Sequence, residues 1–234
     1  LMDDNFSTIV DTIKDGRRIY DNIKKAVGYV FTIHIPIALS SLLAPALGFG
    51  SDGLLFLPLH VVLLELIIDP TCSVVLERQP AEPDIMERKP RNPRESLVSA
   101  RLVLKSAAQG LSIFAASFGA YFFMSQKNPG DAALARSMGI SAIMLCNLFL
   151  IQVNGSDTKS VAYTTRRLAR DKAFWIVNAA TAALIFVFLY SPANAFLRLS
   201  PLSPAQLLAV LAISAASTLW YEIVKALKRR RAIR

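Results

Sequence analysis

Leu54-Leu55-Phe56-Leu57-Pro58-Leu59-His60-Val61-Val62-Leu63-Leu64-Glu65-Leu66-Ile67-Ile68-Asp69-Pro70-Thr71-Cys72-Ser73-Val74-Val75-Leu76 decides how the chain is read. Its 23 residues suffice to cross a hydrocarbon core of ~30 Å as a helix rising 1.5 Å per residue. A soluble buried helix is rarely this long and apolar, so a solvated loop or soluble core is the weaker reading. An ionised carboxylate near the bilayer centre costs on the order of 2.5–3.5 kcal/mol, which marks Glu65 and Asp69 as functional rather than packing residues. Four residues apart, they share one helical face at about 6 Å. Pro70 lacks an N–H and crowds the preceding turn, so the helix is expected to kink or unwind there and to free carbonyls beside the acids. Carboxylates and free carbonyls facing one cavity suit a proton or a hard, partly dehydrated cation.

Working outward, the 234 residues are 53% hydrophobic with a mean hydropathy of +0.42, too apolar for an ordinary soluble domain. The expected fold is an all-α membrane protein, a six-transmembrane-helix bundle with an N-terminal cytoplasmic stalk helix at 1–25. The bundle occupies 26–224, with spans at about 26–47, 54–76, 102–124, 134–153, 172–190 and 204–224. A broken, proline-rich cytoplasmic loop (77–99) and a basic tail (225–234) complete it.

The net charge of +9 raises the question of nucleic acid. Placement answers it: 23 of the 26 Lys and Arg residues fall in 1–25, 77–105, 154–172 and 225–234, all on one side of the spans. Lys127, Arg136 and Arg198 fall on the other. This is the positive-inside pattern of an even number of helices with both termini cytoplasmic. Attraction to anionic membrane lipid is secondary. No basic stripe carries interleaved aromatics, so no nucleic-acid partner is expected. Cys72 and Cys146 both lie inside spans, which argues against a disulfide framework or a structural metal site. The opening Leu1-Met2 suggests an excerpt of a longer protein.

In the stalk, Asp4 or Asn5 can cap a helix whose apolar residues Phe6, Ile9, Val10, Ile13, Ile19 and Ile23 fall near helical spacing. It is either a rigid stalk or an interfacial helix. The first span has His34 and Pro36 near its middle; Pro36 is expected to release the carbonyl of Thr32, and His34 can be a ligand, donor or proton carrier. His60 reads as structural. Ser106 with Gly110, Ala115 with Gly119 and Ser137 with Ser141 have the spacing of close helix packing. Asn147 is expected in an interhelical hydrogen bond, and Glu222 beside Lys225 and Lys228.

Asp3-Asp4-Asn5-Phe6-Ser7-Thr8-Ile9-Val10, followed by Gly16-Arg17-Arg18-Ile19-Tyr20-Asp21-Asn22-Ile23-Lys24-Lys25, resembles the segment leaving the phosphorylation domain of P-type cation-transporting ATPases. Glu82-Pro83-Asp84-Ile85-Met86-Glu87-Arg88-Lys89-Pro90-Arg91 resembles their loop between the sixth and seventh membrane helices. The resemblance implies membrane helices five to ten of a pump similar to calcium and sodium/potassium pumps, in the plasma membrane. It places the Asn and Asp of the sixth helix at Glu65 and Asp69. It puts the Asn and Glu of the fifth at His34 and Ile37, and leaves no acid near Met144 on the eighth. That set implies a candidate metal or proton site of His34, Glu65 and Asp69, with Pro36 and Pro70 as helix breakers, for a proton, a monovalent ion or one divalent ion.

The resemblance also implies an absent part of the same pump: four membrane helices and cytoplasmic domains that use ATP and Mg²⁺. The D-K-T-G and T-G-D-G-x-N-D sequences needed for aspartyl phosphate chemistry do not occur here, so catalytic and cofactor-binding residues are not expected in this chain. The sequence leaves two alternatives open: an autonomous secondary cation carrier or channel, and a non-transporting membrane fragment or subunit.

Overall fold

The computed structural model describes residues 6–49, 53–90, 96–157 and 159–233, without the side chains of 72, 73 and 231–233. The cap expected at Asp4 or Asn5, the proline at 93 and the side chain of Cys72 lie outside the described residues. Those residues form helices and turns without a strand. Among the described residues six helices are long and apolar enough to cross a membrane.

Helix α1, Phe6–Ala46, is a single rod of 41 residues, about 60 Å at 1.5 Å per residue. Stalk and first span are thus one element. It ends where Phe49 N–H reaches Ala44 O (3.2 Å) and Gly48 N–H reaches Pro45 O (3.0 Å). Gly48 adopts φ +81° there, the left-handed closure that glycine permits without a Cβ penalty. Helix α2, Pro58–Thr71, continues directly into a π-helical turn, Cys72–Leu76. The winding therefore changes two residues after Pro70.

Helices α3, Ala100–Lys127, and α4, Ala132–Asn154, are started by Ser99 and Asp131, whose side chains accept from Leu102 N (3.3 Å) and Leu134 N (2.8 Å). Two short helices were not visible in the sequence: α5, Val161–Leu168, and α7, Ala193–Phe196. Helix α6, Lys172–Tyr190, lies between them. Helix α8, Pro204–Ile233, runs on through the basic tail.

Helix α4 is the centre of the bundle. Small residues on every side of it (Ala135, Ser137, Gly139, Ser141, Ala142) let α1, α3, α6 and α8 approach, and the helix is buried nearly all round. By contrast α6 exposes Trp175, Ile176 and Phe186, as a lipid-facing helix does. Asn147 accepts a hydrogen bond from the Tyr29 hydroxyl, tying α4 to α1. Ser106 Oγ donates to Gly28 O at 2.8 Å, joining α3 to α1.

Pro36 has no N–H for the Thr32 carbonyl, yet α1 continues through it. That oxygen packs against Gly110 of α3, where a Cβ would stand 2.8 Å from both Thr32 O and Ile35 Cβ. The glycine admits a bare carbonyl. Gly110→Val is therefore expected to force α1 and α3 apart and to cost ~1–3 kcal/mol as overpacking does, read as a lowered Tm of the purified protein. An unchanged Tm would mean the two helices are not in this register.

On the side carrying the basic clusters, residues 77–90 fold back onto α1 rather than standing free. Asn22 is buried and donates to Glu77 O (3.0 Å) and Gln79 O (2.7 Å). Arg17 donates to Ile85 O and Arg88 O, at 2.8 and 2.9 Å. Arg88 pairs with Asp21 at 2.7 Å and Asp84 at 3.0 Å; its hydrogen bond holds the Asp84 carboxyl below the usual carboxylate range. Arg167 of α5 donates to Ala81 O (2.5 Å) from the far side. On the opposite side Arg136 is buried and donates to Leu54 O (2.9 Å) and Arg198 O (2.7 Å), fastening the two outer connections to α4. Arg198 itself takes φ 49°.

Candidate ion site

Helices α1 and α2 bring His34 and Glu65 into contact, with Nε2 3.2 Å from Oε1. The other ring nitrogen, Nδ1, lies 2.8 Å from Val30 O. A carbonyl only accepts, so Nδ1 carries a hydrogen. Nε2 then faces a carboxyl oxygen, and the contact is attractive only with a proton between the two. Imidazolium with carboxylate, or imidazole with carboxylic acid, satisfies it equally. Either arrangement, when that proton is present, is neutral overall.

Asp69 stands one turn further along α2, exposed, its side chain without a hydrogen bond or ion pair among the described residues. Nor do three side chains of His, Cys, Asp or Glu converge, among those residues, to the spacing of a metal site. Of the three sequence-derived residues, two meet and the third lies beside them. The Thr32 carbonyl released by Pro36 is taken up against Gly110 and is not offered to the acids. Pro70 has no N–H for Leu66 O, and Thr71 Oγ1 donates to Ile67 O at 2.6 Å.

The face that carries these groups is open. The side chains of His34 and Glu65 are 45% and 33% exposed, and Val62, Leu66 and Phe31 beside them are exposed too. Apolar side chains on such a face tolerate lipid. Carboxylates do not: at bilayer depth each costs on the order of 2.5–3.5 kcal/mol.

His60 has a different role. Leu57 N–H donates to its Nδ1 at 3.1 Å, which leaves Nε2 protonated to donate to Leu197 O at 2.7 Å. Buried and fully bonded, it fastens α2 to the connection after α7.

Six long apolar helices, among the described residues, with a polar His34–Glu65 pair between the first two, define a class: a multi-pass membrane domain. A family model described as "Cation transporting ATPase, C-terminus" matches residues 53–227; the chain belongs to that family, the C-terminal membrane region of P-type cation ATPases. It is 27% identical over 218 residues to the "Calcium-transporting ATPase" of Bacillus subtilis (strain 168), covering 93% of this chain and 24% of that protein. It is 28% identical over 166 residues to the "Cation-transporting ATPase pma1" of Synechocystis sp., covering 70% of this chain and 18% of that protein. The chain thus spans about a quarter or less of the length of these curated relatives.

Proposed function

We infer that this chain is an ion-translocating membrane domain of an ATP-driven cation pump, and that Glu65 and Asp69 hold the transported ion while His34 holds the proton that alternates with it. The His34–Glu65 contact carries this reading. With the proton in place the pair is neutral and closed. When the proton leaves, a lone pair faces a carboxylate, the attraction is lost, and Glu65 is freed to join Asp69 around a cation. Two carboxylates with adjacent backbone oxygens offer hard ligands to one divalent or monovalent ion.

The open face is where the remaining membrane helices of the pump pack and complete the site. ATP and Mg²⁺ act in the cytoplasmic domains, whose phosphorylation moves α1; the loop stapled to α1 by Arg17 and Asn22 passes that motion to the π-helical turn after Asp69. Both termini are cytoplasmic, as the distribution of Lys and Arg supports, and the membrane is taken to be the plasma membrane from the resemblance to other pumps.

The test is transport in vesicles. The full-length protein takes up cation with ATP and moves protons the other way, whereas the 234 residues alone give no gradient-driven flux. Gradient-driven cation flux through the isolated chain would establish an autonomous carrier instead.

A further inference from the structure

Helices α3 and α8 touch where Ser112 Oγ donates to Ser217 O at 2.9 Å. From there toward the side opposite the basic clusters they leave a wedge of about 380 Å³ between them. Ala115 and Gly119 of α3 and Ala205 and Ala209 of α8 form its walls, and Met138 of α4 its floor. These four small residues are exposed, Phe123 and Ile213 border the wedge beside them, and nothing lies within 4 Å of where a Cβ on Gly119 would stand. At the outer end is Lys127, exposed in the last turn of α3. It meets no carboxylate among the described residues. Gln206 borders the same mouth.

The length of the wedge identifies its occupant. From Ala115 to Lys127 α3 rises about 18 Å, which matches one leaflet of a hydrocarbon core ~30 Å thick plus the start of the headgroup layer. A partner transmembrane helix crosses both leaflets and would need the groove to continue past Ser112 and Ser217, where it closes. We propose that a glycerophospholipid of the leaflet opposite the basic clusters seats one acyl chain in this wedge, with its phosphate at the Lys127 ammonium. An acyl chain fills a narrow apolar slot that small residues leave open. The phosphate supplies the anion that this lysine lacks, with the Gln206 amide as a second donor.

The experiment uses the full-length protein in vesicles containing phosphatidylglycerol with a diazirine on its acyl chain. After irradiation, labelled peptides from 112–127 and 204–217 are expected. Gly119→Leu fills the wedge and reduces this labelling roughly tenfold, the effect of displacing about two buried methylenes. Lys127→Glu leaves the walls intact and reduces it about fivefold. Because a Cβ at 119 meets nothing, Gly119→Leu is expected to keep the wild-type Tm; if it fails to fold, Lys127→Glu alone decides. Undiminished labelling in Lys127→Glu, or in a folded Gly119→Leu, would overturn the proposal. So would crosslinking of a photoreactive residue at 119 to a second polypeptide, since a protein helix would then own the wedge.

Discussion

Asp69→Asn and Glu65→Gln, each introduced into the full-length protein, are expected to abolish cation-stimulated ATP turnover while expression and membrane insertion stay normal. Both changes keep size and shape and remove only a charge. The Asp69 side chain is exposed and forms no ion pair among the described residues, and asparagine keeps its size. Among the described residues Glu65 meets His34 at hydrogen-bond distance, and glutamine can keep a hydrogen bond there. Removing an outer-shell partner of a metal typically costs ~10–100-fold, so losing a ligand should cost more. On the insertion scale, neutralising an acid at bilayer depth helps the helix into the membrane. Normal turnover in both variants would take these acids out of the mechanism.

The second large effect concerns stability, at the end of α8. Lys225 is fully buried. Its ammonium lies 2.6 Å from Glu222 Oε1 and donates to Val153 O (2.5 Å) in the last turn of α4. Glu222 Oε2 accepts from Val161 N–H (3.0 Å) in the first turn of α5. A cation thus sits at a helix C-terminus and an anion at a helix N-terminus, each matching the local dipole. Glu222→Ala strands the buried ammonium and is expected to cost ~3–5 kcal/mol. The double variant Glu222→Leu with Lys225→Met removes both charges and should recover most of that loss, because well-packed apolar groups replace a buried pair at little cost. Unfolding of the three purified proteins decides it. A double variant as unstable as Glu222→Ala would mean that lost packing, not the stranded charge, is responsible.

The six membrane helices were legible because hydropathy and length are local properties of the chain. What a charge does once the helices pack is not local. Counting Lys225 with Lys228, Arg229 and Arg230 as a basic tail follows from composition, yet Ser214, Thr218, Tyr221 and Lys225 form one buried stripe at helical spacing. The periodicity of α8 carried that signal. Arg136 is similar: on the side poor in positive charge, it is a buried clamp on two carbonyls. The proline at 36 announced a free carbonyl, but only the neighbouring helix, with Gly110 at the right level, determines that packing takes it up.

Glu65 and Asp69 stood out as acids in an apolar run, and the pairing of His34 with Glu65 did not, since the two are 31 residues apart on different helices. Loop 77–90 showed its prolines and charges. Its docking on Asn22 and Arg17 depends on α1 continuing unbroken past the membrane boundary, a tertiary consequence without a local mark. Helices α5 and α7 were missed because four to eight residues carry too little periodicity to be told from a connection.

The central claim is that Glu65 exchanges the proton it shares with His34 for a cation. It is tested most directly by adding cation to the purified full-length protein without ATP and recording proton release with a pH-sensitive dye. Wild type should release protons as the cation binds, and Glu65→Gln should lose that release along with cation binding. Equal proton release from wild type and Glu65→Gln would contradict the account.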